Sequence, residues 1–322
     1  MSETKKGRRA ATLGMLIHPD ELSEGWIDRL VRCGIDVLGI HPPGGKEAPE
    51  TLRSLLARIG TPRFRELIDY ARAQGLSVEY ELHAAGYLMP KDLFETHPHY
   101  FRMNEAGERV NDWNFCVSDP EALDLFAKRA AELALSLYGS DSKFYFWMDD
   151  GHDLHCHCPK CCGLSPSDQQ MIALNAMLRE IRKHIPQAKM AYLAYYDSLQ
   201  PPEIVPAEGI FLEYAPMEKY TAKKEDAAER IAREKAMIGP LAERFGWQDA
   251  KVLEYWYDNS LYSRWKKPPA KFVLQEETMV REMREYQALG FDSLATFACF
   301  LGEDYELLHG DFDVAPFAAA LE

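Results

Sequence analysis

Short apolar runs alternate with longer amphipathic segments along most of the chain, and this alternation predicts the secondary structure. A parallel sheet requires such an order, because a crossover helix must follow each strand. The runs end in polar residues and are separated by helical patterns. Eight strands are predicted, at residues 12–18, 37–41, 77–83, 144–149, 189–195, 210–214, 251–257 and 293–297.

Residues 119–138 carry the clearest helical pattern. Apolar residues recur there at three- and four-residue spacing on one face: Leu123, Phe126, Ala130, Leu133 and Leu137. Ser118 or Asp119 is a suitable N-cap, and Pro120 fits the first turn, where its missing amide hydrogen would have no partner. Glycines stand between helix and strand at three similar junctions, Gly34, Gly75 and Gly290.

This order predicts an α/β fold, a single-domain (β/α)8 TIM barrel over residues 12–322. No Ser/Gly-rich linker divides the chain, and residues 1–11 are expected to be a disordered or flexible N-terminus. A long loop, 84–117, follows the third strand, and a cysteine-rich loop follows the fourth. Long loops are usually functional or contain small elements of their own.

The charge of the chain narrows the choice of partners. A formal charge of −14 over 322 residues repels nucleic acid and anionic lipid, so neither is an expected partner. The N-terminus lacks an apolar leader, and no membrane-spanning run occurs, which predicts a cytoplasmic protein; a secretion leader already removed would leave the same pattern. Glycine-rich phosphate loops are absent, and no organic cofactor is expected.

Polar side chains collect at the predicted strand ends. In this fold those ends meet at one mouth, where active sites are built. A purely structural barrel would place one or two such residues there, so the excess predicts a site. The residues are His18, His41, Glu81, His83, Asp149, Asp150, Tyr195, Asp197, Glu213, Glu254 and Trp256.

Carboxylates and aromatic rings in this region together indicate a carbohydrate ligand. Glycoside hydrolysis needs two carboxylates beside one bond, and flat rings suit the C–H faces of sugars. Aromatic residues are also common in strands for packing reasons, and a single histidine is more often structural than catalytic. The expected substrate-binding residues are His18, His41, Glu81, His83, Trp113, Asn114, Tyr195, Tyr196 and Trp256.

The loop after the fourth strand contains Cys156, Cys158 and Cys161 in a Cys-x-Cys-x-x-Cys pattern. Such thiolates can share a tetrahedral ion, and Cys116 at the end of the preceding long loop is the predicted fourth ligand of a structural zinc. The alternative ligands are His155, His157 and Cys162. Reduced, unliganded thiols in a compact turn are the other interpretation.

Several of these motifs resemble a known family. Residues 114–121, the Cys-x-Cys-Pro-x-Cys loop, 194–196 with Pro201 and Pro202, and 97–101 with Gly107 are similar to the domain of unknown function numbered 4838. That family includes glycoside hydrolase family 163, which resembles endo-β-N-acetylglucosaminidases acting on N-glycans. The resemblance covers roughly residues 97–214 and implies a barrel acting on a glycan that contains N-acetylhexosamine.

Barrels of this type suggest roles for the carboxylates. Many retaining hydrolases carry the acid/base after strand four and the nucleophile after strand seven, which here gives Asp149 or Asp150 and Glu254. With an N-acetylhexosamine substrate, the acetamide could be the nucleophile. Asp149 and Asp150 would then be the pair that orients the acetamide and protonates the leaving oxygen, or Glu213 or Glu254 would be the proton donor instead. We expect only one of the two aspartates to face the substrate, because adjacent strand residues face opposite ways.

Two other functions fit the same sequence. One is a carbohydrate-binding or regulatory barrel that keeps the cleft without its catalytic acids. The other is a metal-dependent hydrolase or isomerase with His18, His83, Glu81 and Glu213 as ligands, although their spacing follows no compact metal motif.

Overall fold

A computed structural model describes residues 11–221, 223 and 225–321 of the chain. The predicted flexible N-terminus therefore lies outside the described residues except for Ala11, which is buried beside the first strand. None of the helices in the described residues is both long enough and apolar enough to cross a membrane.

Eight parallel strands close into a barrel in sequence order, with the last strand paired to the first. The predicted (β/α)8 TIM barrel is thereby confirmed. The strands are β1 Thr12–Ile17, β2 Val37–Ile40, β3 Ser77–His83, β4 Lys143–Trp147, β5 Lys189–Ala194, β6 Ile210–Tyr214, β7 Lys251–Glu254 and β8 Ser293–Phe297.

Helices surround the barrel and also occupy its loops. In the described residues the α-helices are α1 Glu24–Cys33, α2 Ala48–Ile59, α3 Pro62–Ala73, α4 Ala85–Leu88, α5 Pro120–Ser136, α6 Pro166–Ile181, α7 Glu218–Thr221, α8 Ala227–Ala236, α9 Ile238–Phe245, α10 Asn259–Tyr262, α11 Glu276–Leu289, α12 Glu303–His309 and α13 Ala315–Ala319. Short 3-10 helices lie at Gly45–Glu47, Lys91–Glu95, Pro98–Tyr100 and Tyr196–Ser198.

Helix α5 shows how the local sequence sets the element. Asp119 is the N-cap, and its side chain accepts hydrogen bonds from the amides of Glu121 and Ala122, so the first orphan donors of the helix are satisfied. The apolar face containing Phe126 and Ala130 is buried, as the spacing predicts. At the helix-to-strand junctions, Gly34 and Gly290 have φ of 69° and 112°, left-handed values that favour glycine.

The long loop after β3 contains small elements, as its length predicts. It carries α4, two 3-10 helices and two antiparallel bridges, Phe101 with Phe115 and Met103 with Arg109. The bridges fold the loop back on itself and bring Cys116 towards the barrel. The loop after β4 contacts it directly, since the amide of His157 donates to the carbonyl of Met103 at 2.8 Å.

Alternate strand residues fill the barrel interior, because side chains along a strand point to opposite faces. Apolar side chains such as Leu16, Phe211 and Leu253 form much of this inner cluster. The other set of strand residues faces the helices and joins the outer core. This parity decides which polar residue near a strand end can reach the mouth.

Candidate active site

A cavity of about 550 Å³ opens at the C-terminal ends of the strands. Residues in, or directly after, the C-terminal end of each of the eight strands line it, so distant parts of the chain share one hollow. The lining residues that bear on its chemistry are His18, His41, Glu47, His83, Trp147, Asp150, Tyr195, Tyr255, Asp258, Ser260, Trp265 and Phe297. This volume and its mixed apolar and polar wall suit a small organic ligand.

Asp150 is one of three carboxylates on the cavity wall. It follows β4, and its Oδ1 accepts a 2.9 Å hydrogen bond from the hydroxyl of Tyr195, which follows β5. Burial raises the pKa of Tyr195, and the charge of Asp150 adds to that rise, so the phenol keeps its proton and donates. This hydrogen bond from Tyr195, after β5, therefore holds the carboxylate of Asp150, after β4, in place.

Asp258 is the second carboxylate, and the sequence had not indicated it. It lies in the loop after β7 and caps α10, its Oδ1 accepting from the amides of Ser260 and Leu261 and from the Ser260 hydroxyl. Burial raises the pKa of Asp258 to about 6, against these hydrogen bonds. An acid with such a pKa is about half protonated at pH 6 and about one-tenth protonated at pH 7, so it can act as a general acid.

Tyr255 links the two acids electrostatically. Burial raises the pKa of its phenol well above the ordinary value, and the charges of Asp150 and Asp258 raise it further. The neutral hydroxyl of Tyr255 therefore lies close enough to interact electrostatically with the carboxylates of Asp150 and Asp258. Glu47, the third carboxylate of the wall, is exposed at the rim.

Three histidines at the C-terminal ends of β1, β2 and β3 also line the cavity. Nδ1 of His18 contacts the carbonyl oxygen of His41 at 2.8 Å, and Nδ1 of His41 contacts that of Glu81 at 2.8 Å. His83 repeats the pattern with the carbonyl of Met148 at 3.1 Å. Because a carbonyl only accepts, each Nδ1 carries the hydrogen. Burial lowers the pKa of His18 and His41, so both rings are neutral at pH 7.

Glu81 and Glu213 lie below the cavity rather than on its wall. Both side chains are fully buried inside the barrel, where the ammonium of Lys251 contacts them and also Glu79, the last at 2.8 Å. Glu213 Oε2 accepts a 2.7 Å hydrogen bond from Nε1 of Trp147, whose ring forms part of the cavity wall. Burial raises the pKa of Glu213 to about 7. These acids support the floor and do not contact the cavity.

Glu254 and Trp256 face away from the barrel. The Glu254 carboxylate is fully buried on the helix side of β7, where it accepts hydrogen bonds from Lys219 at 2.6 Å and Tyr286 at 2.8 Å. The Trp256 indole donates to Glu282 on α11 at 2.8 Å. Leu253 and Tyr255, the neighbours of opposite parity, line the cavity instead. The structure therefore does not bring Glu254 or Trp256 to the mouth.

Asp149 and Asn114 line a narrow cleft between the loops after β3 and β4, which adjoins the cavity at His83, Leu193 and Tyr195. The Asn114 side-chain oxygen accepts from the amide of Asp149 at 2.9 Å, and burial raises the pKa of Asp149. The ring of Tyr196 packs at a tilt against that of Tyr195, with centroids 4.0 Å apart, and Trp113 is half-buried in the long loop. Asp150 alone of the adjacent aspartates therefore lines the large cavity; because β4 ends at Trp147, the alternation of the strand does not set this choice.

The four predicted cysteine ligands come together. All sulfur atoms of Cys116, Cys156, Cys158 and Cys161 lie within 4.8 Å of one another and are buried. Cys116 Sγ lies 3.6 Å from that of Cys158 and 3.8 Å from that of Cys161. Zn–S bonds of about 2.3 Å in a tetrahedron place sulfurs about 3.8 Å apart, so the donor set fits zinc. The alternative ligands His155, His157 and Cys162 lie outside this four-sulfur group.

A second group of polar ligands lies beside that loop. Ligand atoms of Asp153, His155 and Asp197 also lie within 4.8 Å of one another, near the surface. Asp197 already accepts hydrogen bonds from His152 and from the amide of Asp153, so internal contacts explain its position. The set His18, His83, Glu81 and Glu213 forms no comparable group in the part of the chain that the structure describes.

Comparison with known families assigns the chain. The sequence pattern of the family described as Domain of unknown function (DUF4838) matches residues 52–242, more than half of the chain. The chain belongs to the DUF4838 family. The matched segment includes Asp150, Tyr195 and the cysteine cluster, whereas Asp258 lies beyond it. No curated protein matches the sequence.

Solved structures similar to this DUF4838 protein include glycoside hydrolases. The β-galactosidase from Rahnella sp. R3 is 13% identical, with 98% of this chain and 56% of that chain covered and a TM-score of 0.56. A GH20 module of the pneumococcal exo-β-D-N-acetylglucosaminidase StrH is 10% identical, with coverages of 97% and 83% and a TM-score of 0.51. The Bacteroides ovatus GH5 xyloglucanase is 14% identical, with coverages of 94% and 67% and a TM-score of 0.50.

These likenesses show the barrel fold of the DUF4838 protein and nothing finer, because the identities are low. The chain also spans only a little over half of the length of the Rahnella and Marinomonas β-galactosidases.

Proposed function

We propose that this DUF4838 protein hydrolyses glycosides in the cavity at its barrel mouth. The observation that carries the proposal is the presence of Asp150 and Asp258 on one wall lined by Trp147, Tyr195 and Tyr255. Two carboxylates from the loops after β4 and β7 are the groups that this reaction needs, and the rings suit a sugar face. The glycoside hydrolase barrels among the structural neighbours support the same class.

Asp258 is the proposed proton donor. Its pKa of about 6 provides a protonated fraction near neutrality, and Oδ1 already receives every hydrogen bond that the described residues give it, which leaves Oδ2 to hold the proton. As the glycosidic C–O bond breaks, this proton passes to the leaving oxygen. A water molecule then adds to the anomeric carbon, and one of its protons restores the acid.

Asp150 is the proposed ionised partner. The Tyr195 hydroxyl donates a hydrogen bond to it and so fixes the position of the carboxylate. It either attacks the anomeric carbon or, with an N-acetylhexosamine, orients the acetamide that attacks. The resemblance to glycoside hydrolase family 163 and the fold likeness to an N-acetylglucosaminidase support an N-acetylhexosamine substrate.

We propose that the four-cysteine cluster holds a structural zinc ion. Cys116 belongs to the loop after β3, and the other three belong to the loop after β4, so the ion would tie together two loops beside the cavity. The Met103 amide donates to Cys156 Sγ at 3.3 Å, and the Ser118 hydroxyl lies 3.1 Å from Cys161 Sγ. Such contacts stabilise bound thiolates.

A screen with 4-nitrophenyl glycosides of N-acetylglucosamine, glucose, mannose and glucuronic acid tests the activity. We expect turnover of the N-acetylglucosaminide that is lost on heat denaturation and unaffected by a chelator that leaves the fold intact. Absence of turnover on all four, with a correctly folded protein, would contradict the hydrolase proposal.

A non-catalytic carbohydrate-binding barrel is the second candidate. Glu213 and Glu254 are buried and lie outside the cavity, so fewer carboxylates can contact a ligand than the sequence predicts. This placement favours a binding function. Calorimetric titration with a thioglycoside, which cannot be hydrolysed readily, separates the two functions. Binding without turnover of the matching O-glycoside would support the binding protein.

A further inference from the structure

The cavity wall offers mainly hydrogen-bond acceptors, because protein partners already occupy most of its side-chain donors. Trp147 donates to Glu213, Tyr195 to Asp150, Ser260 to Asp258, and the Cys299 thiol to the Leu16 carbonyl at 3.7 Å. The same holds for Nδ1 of His18, His41 and His83, each of which faces a carbonyl. Among the described residues that line the cavity, the side-chain donors of Tyr255 and of Trp265, at the rim, have no hydrogen-bond partner.

The free groups on the wall accept hydrogen bonds. With Nδ1 protonated, a neutral histidine presents Nε2 as a lone pair, and none of the described residues bonds Nε2 of His18 or His41. Both nitrogen atoms lack a protein partner but are not fully buried, so each is accessible from the cavity. The carboxylates of Asp150, Asp258 and Glu47 are acceptors when ionised.

Positive charge does not offset these acceptors. Lysine and arginine are absent from the described residues that line the cavity. The nearby Lys267 lies outside the wall and is paired with Asp304 at 2.8 Å. Lys251 and Lys219, the buried lysines beneath and behind the cavity, are each bound to carboxylates. An acidic ligand would therefore meet carboxylates without a compensating cation.

We propose that the cavity selects neutral or amino sugars, which donate their hydroxyl or ammonium hydrogens to the wall, and rejects uronic acids and sulfated sugars. This inference rests on the proposed function, because it takes the ligand of the cavity to be a sugar. The physical basis is like-charge repulsion together with the lack of donors for an anionic group, which would leave buried polar atoms unpaired.

The metal alternative for the histidines is not favoured. Their ring centroids are spaced 6.1 Å between His18 and His41 and 5.9 Å between His41 and His83. They form no group of converging ligand atoms among the described residues. A row of separate acceptors suits several hydroxyls of one sugar better than it suits a single ion.

Calorimetric titration at pH 7 tests the inference with phenyl 1-thio-N-acetyl-β-glucosaminide, its 6-O-sulfated form and phenyl 1-thio-β-glucuronide. We expect the neutral thioglycoside to bind at least tenfold more tightly than either anion. Equal or tighter binding of an anion would overturn the inference, and so would failure of all three to bind. Because these ligands are not turned over, selective neutral binding without O-glycoside hydrolysis would uphold the inference while the hydrolase proposal fails.

A charge-introducing variant tests the mechanism of selection. His83→Lys places an ammonium on the half-buried part of the wall, and we expect the preference for the neutral over the sulfated ligand to fall at least tenfold. His99→Lys adds the same charge at a largely exposed position in the long loop and should leave the preference unchanged. An equal effect of both variants would show that net charge, rather than the wall, sets the preference.

Discussion

The hydroxyl of Tyr195 donates a 2.9 Å hydrogen bond to Oδ1 of Asp150, and both residues line the cavity. The bond joins the loops after β4 and β5 and fixes the carboxylate at the mouth. Tyr195→Phe removes one donor to a charged group, worth about 1.5 kcal/mol, so we expect kcat/KM to fall about tenfold. Steady-state kinetics on the best glycoside from the screen provide the measurement.

Tyr70→Phe is the matched control for this variant. The Tyr70 hydroxyl also donates to an aspartate, Asp28 at 2.6 Å, but on the outer helices. Its removal should leave kcat/KM unchanged. Equal kinetics for Tyr195→Phe and the wild type would mean that Asp150 needs no positioning by the phenol.

The rate should depend on pH through Asp258. Burial raises the pKa of this acid to about 6, and only the protonated form can donate to the leaving oxygen. We therefore expect kcat/KM to fall as pH rises through about 6, close to tenfold per pH unit on the alkaline side. Asp258→Asn should abolish this limb along with most of the activity. A profile that stays flat from pH 5 to 8 would remove Asp258 from the role of acid.

Lys251 should be essential for stability. Its ammonium is almost fully buried, and burial opposes its charge, but contacts with Glu79, Glu81 and Glu213 keep its pKa above the ordinary value. Lys251→Met leaves several buried carboxylates without a cation, which costs about 3–5 kcal/mol when one partner of such a network is lost. Chemical denaturation monitored by circular dichroism measures the free energy of unfolding.

Two further variants make the Lys251 test specific. Lys128→Met removes a largely exposed lysine that pairs with Asp124 on α5, and it should not shift the denaturation midpoint. Adding Glu81→Gln to Lys251→Met removes one of the stranded charges and should restore part of the stability. A double variant no more stable than Lys251→Met alone would contradict the electrostatic explanation.

Purified protein should contain about one equivalent of zinc, because four converging thiolates retain their ion. Cys158→Ser should reduce the metal content and lower the Tm. Cys162→Ser is the control, since this thiol is exposed and lies outside the cluster. Metal content below about 0.2 equivalents in wild-type protein isolated without chelator would exclude the zinc site.

The fold was predictable because each element carries a local signal. The predicted and observed bounds agree at β3, β6 and β8, and the N-cap of α5 is Asp119, one of the two predicted candidates. The final residues of β7 were harder to place. The mostly apolar and aromatic segment at residues 251–257 does not reveal where pairing ends, and the observed strand stops at Glu254. Parity after that point then places Tyr255, rather than Glu254 or Trp256, on the cavity.

The candidate site was predictable only in part, because a sequence does not give the depth of a side chain in the barrel. Glu81 and His83 share the inner face of β3, as their spacing predicts, yet the first is bound to Lys251 and the second lines the cavity. The register that places Glu213 opposite Lys251 comes from strand pairing alone. Asp258 was missed because it lies beyond its strand; its position two residues before Ser260 resembles only a helix cap.

Turnover by Asp150→Asn and Asp258→Asn tests the two-carboxylate account most directly. Each variant should lower kcat by about a hundredfold or more on the best aryl glycoside while circular dichroism shows an unchanged fold. Asp124→Asn, the same change on the outer face of α5, should retain wild-type kcat. Wild-type turnover by both cavity variants would contradict the account.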